Sequence, residues 1–104
     1  MAENEQKSGD RGGIVFVKSN TPTEGLANCI VAIAITEKKD KAVLRCVGAG
    51  ANSQMTKGII VAKDKLVYRR IGVTIDLNWV NVPAQEGSKN KEISAIECVL
   101  RFIR

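Results

Sequence analysis

The pattern of apolar and polar positions predicts a strand and then a helix in the first third of the chain. Residues 14 to 18 (IVFVK) are mostly β-branched or aromatic and are bounded by glycines and by Ser19-Asn20, as is typical of a buried strand. Apolar residues then recur at the helical spacing i, i+4, i+7 and i+8, at Leu26, Ile30, Ile33 and Ala34. The run IVAIAI within this stretch is also compatible with a strand. A helix is favoured because alanines recur there and because the preceding TPTE segment offers Thr21 or Thr23 as a cap.

The middle of the chain predicts a second strand that runs into glycines, and then a second helix. The apolar stretch AVLRCV is followed by Gly48 to Ala51, a segment named here the glycine corner. The second helix is expected to have Asn52 or Ser53 as its cap and to last to about Arg70. Gly72, which follows, is expected to stop the helix because glycine tolerates a positive φ. Its apolar face consists of Met55, Ile59, Ala62 and Leu66.

The last third of the chain predicts two strands joined by a polar loop. The stretch VTIDLNWVNVP alternates, so that one face of the strand consists of Val73, Ile75, Leu77 and Trp79. After the loop AQEGSKNKE, the stretch ISAIECVLRFI is long enough to pair with this strand as a hairpin. Trp79 is interpreted as a core aromatic or as part of a dimer interface.

The predicted order of elements is β-α-β-α-β-β. A strand-helix-strand unit implies parallel pairing of the first two strands, and the final hairpin adds antiparallel pairing. The sequence therefore predicts an α+β, two-layer domain with a mixed four-stranded sheet and two helices on one face. This domain is expected to span residues 14–104. Residues 1–13 are rich in Gly, Ser, Asn and charge and are expected to form a disordered tail.

Composition favours a basic intracellular protein with an anionic partner. Sixteen Lys and Arg against eleven Asp and Glu give a net charge of +5, and the tail itself is slightly acidic. Such an excess suits nucleic acid or an anionic membrane surface. The three cysteines lie in apolar stretches as expected of buried free thiols, and no segment reads as a signal peptide or is long enough to span a bilayer. We expect a cytoplasmic protein, or a nuclear one in a eukaryote.

Catalytic and metal-binding chemistry has little support in this sequence. The chain has no histidine, which excludes Ser-His-Asp and Cys-His catalysis and any histidine-ligated metal. Its carboxylates are scattered singly among lysines. No P-loop lysine follows the glycine corner, since Asn52, Ser53 and Gln54 stand there instead. We therefore predict a non-enzymatic protein without metal or cofactor.

The glycine corner admits two interpretations. Free backbone N–H groups at the positive end of a helix, with no Cβ to block approach at two glycines, are the ingredients of an anion site. The same glycines also permit a sharp strand-to-helix turn or close packing. Asn52, Ser53 and Gln54 give the first helical turn more polar groups than a single cap needs, which favours a contact surface.

The segment VGAGANSQMTKGIIVAKDKL, residues 47 to 66, closely resembles the Gly-Ala-Gly-Ala-x-Asn/Ser-Gln-x-x-Lys segment of the stage V sporulation protein S family, whose members are small proteins with an Alba-like fold. VKSNTP is similar to that family's Lys-Ser-Ser-Pro loop after the first strand, and VTIDLNWVNVPAQ to its third strand and the Pro-Ala beyond. The resemblance covers most of residues 14–104. It implies a nucleic-acid-binding homodimer, and the predicted order of elements agrees with the Alba topology.

Carried over by position, the resemblance implies three binding segments: the loop after the first strand, the glycine corner with the start of the second helix, and the tip of the last hairpin. The residues implied are Lys18, Ser19, Asn20, Thr21, Gly48, Gly50, Asn52, Ser53, Gln54, Lys57, Lys89 and Lys91. Ala49, Gly50 and Ala51 stand where archaeal Alba proteins usually carry basic residues.

The expected function is weakly sequence-selective binding to the phosphate backbone of DNA or RNA, in a regulatory or architectural role. Two alternatives remain open at this point. The chain is also compatible with a non-catalytic regulatory or scaffold module that binds a protein partner. The turn from Gly48 to Gln54 is also compatible with a site for a small anion or nucleotide.

Overall fold

The computed structural model of the protein describes residues 10–11, 13–83 and 92–104. Five strands and two helices follow one another in these ranges. They are β1 (Asp10–Arg11), β2 (Ile14–Val17), α1 (Thr23–Ile35), β3 (Lys41–Cys46), α2 (Ala49–Val67), β4 (Gly72–Pro83) and β5 (Glu92–Ile103). The ambiguous apolar run in the first third of the chain is therefore helical, as predicted.

The strands form one mixed sheet in the order β1-β2-β3-β5-β4. β2 and β3 are parallel, whereas the other neighbours are antiparallel, and β4 and β5 form the predicted hairpin. The predicted β-α-β-α-β-β order and two-layer arrangement are confirmed. One short strand was not predicted. It is β1, which lies in the segment expected to be a disordered tail and pairs with β2. Residues 1–9 and 12 of that segment lie outside the described residues.

The core lies between one face of the sheet and both helices. Strand register places Leu44 opposite Cys98 and Ala42 opposite Leu100, and all four side chains are buried. The predicted apolar face of α2 is buried against them, as are Leu26, Ala27, Ile30, Ile33 and Ala34 of α1. Because the apolar positions of α1 and α2 follow the helical spacing, each helix presents one continuous stripe to the sheet.

The helix ends differ from the predictions. α1 begins after Pro22 and α2 after Gly48, and neither start has a side-chain cap. The hydroxyl of Thr21 instead accepts a hydrogen bond from the backbone N–H of Lys18, at 2.7 Å. α2 ends at Val67, so the predicted stop at Gly72 is also wrong. The left-handed position after α2 is occupied by Arg70, with a φ of 61°.

Strand β4 alternates as predicted, but its apolar face is largely uncovered. Ile75, Leu77 and Trp79 are 42%, 62% and 75% exposed, respectively. Their partners on β5 lie on the helix-facing side of the sheet, so these side chains do too. Because β4 is the last strand of the sheet, it extends beyond the cover of the helices. Of the two interpretations of Trp79, the core aromatic is therefore wrong, and the dimer-interface aromatic stays a prediction. An exposed apolar strip remains, defined as Ile75, Leu77 and Trp79.

Candidate nucleic-acid interface

The loop between β2 and α1 is a tight turn closed by its own threonine. The backbone N–H of Thr21 donates to the carbonyl of Lys18 at 3.0 Å, while the Thr21 hydroxyl accepts from the N–H of Lys18. Lys18, Ser19 and Asn20 are exposed. The turn therefore holds a cation and two small polar residues at the surface, with a backbone that is fixed locally.

The glycine corner opens directly into the start of α2. Gly48 has a φ of 92°, a conformation that residues with a Cβ rarely adopt. The backbone N–H of Asn52 donates to the Gly48 carbonyl at 3.0 Å. The N–H groups of Ala49, Gly50 and Ala51 precede it and have no partner within the helix. Ala51 is buried, but Ala49 and Gly50 are exposed and no side chain caps this end, so their two donors are available at the positive end of the helix dipole.

The first loop and the glycine corner are in direct contact. A Cβ added to Gly50 would lie 2.9 Å from the Cβ of Ser19, closer than real side-chain atoms approach one another. Four residues farther along α2, the Gln54 amide donates to the carbonyl of Thr21 at 2.7 Å and approaches the Thr23 hydroxyl at 3.4 Å. These contacts join two predicted binding segments into one surface, named here the joined-loop surface: residues 18–21 and 48–54.

Two exposed cations lie in or beside this surface. Lys18 belongs to the first loop, and Lys57 lies one turn beyond Gln54 on α2. Neither forms an ion pair with another described residue. Lys65, farther along α2, is engaged instead, since its ammonium donates to Glu24 at 3.0 Å and to Asn28 at 2.9 Å.

The predicted site residues thus divide into three groups: those on the joined-loop surface, Lys57 beside it on α2, and the two lysines of the hairpin tip. Most lie on the joined-loop surface: Lys18, Ser19, Asn20, Thr21, Gly48, Gly50, Asn52, Ser53 and Gln54. Gln54 is there, but its amide hydrogen-bonds to the neighbouring loop, so it acts as a positioning residue, a role that the sequence reasoning missed. Lys89 and Lys91, with the rest of the hairpin tip, lie outside the described residues.

The buried thiols give the site no reactive group. Cys46 of β3 and Cys98 of β5 are buried in the core between the sheet and the helices. Burial raises the pKa of Cys98 to about 11, with additional upward contributions from Cys46 and Asp76, and burial also raises the pKa of Cys46. Both thiols are therefore neutral near neutral pH, where a thiolate would be needed for nucleophilic chemistry.

The described part of the chain has neither a metal-binding cluster nor a membrane-spanning helix. Residues 10–11, 13–83 and 92–104 contain no group of three or more Cys, Asp or Glu side chains placed to hold a metal ion. None of the helices described is long and apolar enough to cross a membrane.

Comparison with known proteins places this architecture in a family. The fold and the joined loops define a small two-layer α+β domain with an uncapped helix start at its surface. The chain belongs to the stage V sporulation protein S (SpoVS) family, whose model matches residues 13–102. No curated protein sequence matches it. Among solved structures it is similar to Alba from Thermoplasma volcanium, with 21% identity and a TM-score of 0.48, covering 85% of this chain and 98% of that one.

Proposed function

We propose that this protein binds the phosphate backbone of DNA or RNA at the joined-loop surface, without catalysis and with little sequence preference, in a regulatory or architectural role. The contact between Gly50 and Ser19 carries the proposal, because it brings the open N–H groups of α2 beside a second polar loop. An isolated glycine turn explains a bend in the chain. It does not explain why a second loop is held against it by the Gln54 amide.

The chemistry of the surface suits phosphate oxygens better than base edges. Backbone N–H groups at a helix start and exposed ammonium groups bind phosphate without distinguishing one base from another. Lys18 and Lys57 supply the charge among the described residues, and Asn52 and Ser53 add polar side chains at the start of α2. We further propose that Lys89 and Lys91 add phosphate contacts from the hairpin.

Neutralising Lys18 and Lys57 tests this proposal. We expect the double variant Lys18→Gln/Lys57→Gln to bind a fluorescent oligonucleotide more weakly than the wild type. The slope of log K against log salt is expected to be smaller by about 2 for duplex DNA, since each lost phosphate contact removes about one counterion. Fluorescence anisotropy at several salt concentrations, with duplex DNA, single-stranded DNA and RNA in parallel, gives both quantities.

Lys41→Gln is the matched control for the two single variants, Lys18→Gln and Lys57→Gln, because each of the three removes one positive charge. Lys41 lies at the exposed start of β3, at the opposite end of that strand from the glycine corner. The control should bind nearly as the wild type does. Equal losses in the control and in each single variant would show that only the net charge matters. Failure of all three nucleic acids to bind would remove the proposal.

A small anion at the same helix start is the second candidate, and the N–H groups of the exposed residues Ala49 and Gly50 favour it. The two functions predict different results in the same experiment. A site for a small anion would be saturated by inorganic phosphate and would lose affinity on substitution of Lys57 but not of Lys18. A phosphate backbone that crosses both loops requires both lysines.

We propose that two copies associate through the apolar strip of β4 and the adjoining face of α2. Ile60 and Val67 are exposed and lie seven residues apart on one side of α2, which contacts β4. We propose that they belong to the same interface as the apolar strip, since single-copy soluble proteins rarely leave a large apolar surface open. A second copy could cover both patches through a two-fold axis, because a two-fold interface uses the same surface on both partners. A protein partner of another kind would fit the same surface, so the oligomeric state must be measured.

The double variant Leu77→Ser/Trp79→Ser is expected to be monomeric where the wild type is a dimer. Both side chains are more than half exposed, so the change removes apolar contact area without opening a cavity in the core. Sedimentation velocity at micromolar concentration measures the result. Phe16→Ser on the other face of the sheet, where the side chain is 37% exposed, is the matched control and should leave the dimer intact. A monomeric wild type would contradict this part of the proposal.

A further inference from the structure

The two helices end close together at the opposite end of the domain from the glycine corner, and there they form a basic pocket. β3 runs from Lys41 toward the glycine corner, so the loop that precedes β3 lies at the far end. A pocket of about 390 Å³ lies at this end. Three cations, Lys38, Arg69 and Arg104, and two apolar residues, Ile35 and Ile71, line it. These five residues define what is named here the basic pocket.

The basic pocket is built by the chain reversals that follow the helices. After α2, the N–H of Ile71 donates to the Leu66 carbonyl at 3.1 Å and that of Arg70 to Val67 at 3.0 Å, the pattern of a left-handed helix end. After α1, Lys38 has a φ of 56°. Glycine or asparagine is the usual residue in such a conformation. The backbone conformation at position 38 therefore does not explain why the residue there is a lysine.

The cations of the pocket are largely unused within the domain. No Asp or Glu side chain is among the lining residues, and neither Lys38 nor Arg69 forms an ion pair or side-chain hydrogen bond with another described residue. Arg104 donates from one Nη to the Lys39 carbonyl at 2.7 Å, which leaves further guanidinium donors open. Three positive side chains thus line one concave surface with no acidic side chain among its lining residues.

Stabilisation of the helix ends is the simplest competing explanation, since cations near the last turn complement the helix dipole. It accounts for positive charge at this end, but not for a pocket. The helix-end carbonyls of Leu66 and Val67 already accept backbone N–H groups, as do those of Ala32 and Ile33 in α1. The side chains of Lys38 and Arg69 are therefore not needed as hydrogen-bond caps.

We infer that the basic pocket is a phosphate-binding site independent of the joined-loop surface. Guanidinium and ammonium groups bind the phosphate, and the two isoleucines receive the apolar part of an organic phosphate, so that a nucleotide unit is the fitting ligand class. That unit has two sources with the same chemistry: a free nucleotide, or one unit of a nucleic-acid strand. The inference goes beyond the proposed function, because it concerns different residues at the other end of the domain.

The experiment titrates ADP and a short single-stranded oligonucleotide, each separately, into the full chain by isothermal calorimetry at low salt. The test variants are Arg69→Gln and Lys38→Asn, the second because asparagine tolerates the left-handed backbone while removing the charge. We expect each to weaken binding at this site by about tenfold, as the loss of one charge-assisted hydrogen bond would. Lys41→Gln, an equal loss of charge outside the pocket lining, should bind as the wild type does. Thermal unfolding of every variant establishes that it is folded.

The outcomes separate the two sources and the two sites. Saturable ADP binding that both test variants weaken supports the inference with a free nucleotide as ligand. If ADP does not bind, and the wild type binds a second equivalent of the oligonucleotide that the test variants do not bind, the inference is supported with a nucleic-acid strand as ligand. If neither ligand is affected by Arg69→Gln or Lys38→Asn, the inference is overturned. If Lys18→Gln/Lys57→Gln leaves oligonucleotide binding intact while the test variants weaken it, the proposed function fails and this site stands.

Discussion

Replacing Gly50 by valine is expected to weaken oligonucleotide binding by at least about tenfold, equivalent to about 1.4 kcal/mol, while the domain stays folded. The added Cβ would lie 2.9 Å from the Cβ of Ser19, and the two methyl groups of valine enlarge the conflict. Because Ser19 sits on an exposed turn, the loop can move away without disturbing the core. That movement separates Lys18 from the N–H groups of α2, so one strand could no longer contact both.

Gly25→Ala is the matched control for this substitution. Gly25 lies in α1, and a Cβ there would meet Pro22 at 3.7 Å, an ordinary contact. The control should keep its affinity and gain up to about 1 kcal/mol in unfolding free energy, because alanine favours helix over glycine. Anisotropy titration with a labelled oligonucleotide and urea unfolding measure the two quantities. Gly50→Val binding as tightly as the wild type, in a folded domain, would show that the joined loops are not the binding surface.

The sequence predicted the elements of the fold because their signals are local. The alternation in β4 and the helical spacing of Met55, Ile59, Ala62 and Leu66 each lie within a dozen residues. The order of the elements then limits the topology, since strand-helix-strand units have one favoured hand. What the alternation in β4 could not reveal is whether a helix covers its apolar face. Trp79 follows the core pattern and is nevertheless exposed, because coverage depends on where β4 lies in the sheet.

The candidate site was predicted in its parts and not in its assembly. The first loop and the glycine corner were both identified, but their contact joins residues 31 positions apart, Gly50 and Ser19, through the absence of a side chain. The role of Gln54 could not be predicted for the same reason. Its amide donates to the Thr21 carbonyl, which is distant in sequence, and from the sequence alone a glutamine at a helix start is equally compatible with a ligand contact or a plain surface position. The helix starts failed for a related reason. Thr21 has the composition of a cap, but its hydroxyl bonds to Lys18 instead.

The packing of α1 against α2 predicts that one substitution will have opposite effects in two backgrounds. Gly58 faces Leu26, and a Cβ added to Gly58 would lie 2.6 Å from Leu26 Cδ2 and 2.9 Å from Cγ. In the wild type, Gly58→Ala should lower the unfolding free energy, because overpacking costs about 1–3 kcal/mol and the gain in helix propensity offsets only about 1 kcal/mol of it. Leu26→Ala alone should cost about 2–5 kcal/mol, since Leu26 is buried and its removal leaves a cavity.

In the Leu26→Ala background, Gly58→Ala should instead raise the unfolding free energy, by less than about 1 kcal/mol. The two closest atoms of Leu26, Cδ2 and Cγ, are then gone and the helix-propensity gain remains, but the Cβ of residue 26, 3.1 Å from the added atom, must still shift slightly. Urea unfolding of the four proteins in this cycle gives the interaction free energy, and Gly25→Ala, whose added Cβ makes only ordinary contacts with Pro22, gives the propensity gain. The reversal of sign is the specific expectation. If Gly58→Ala changes stability in the same direction with and without the leucine side chain, then the glycine is not there to admit Leu26, and the close approach of the two helices has another cause.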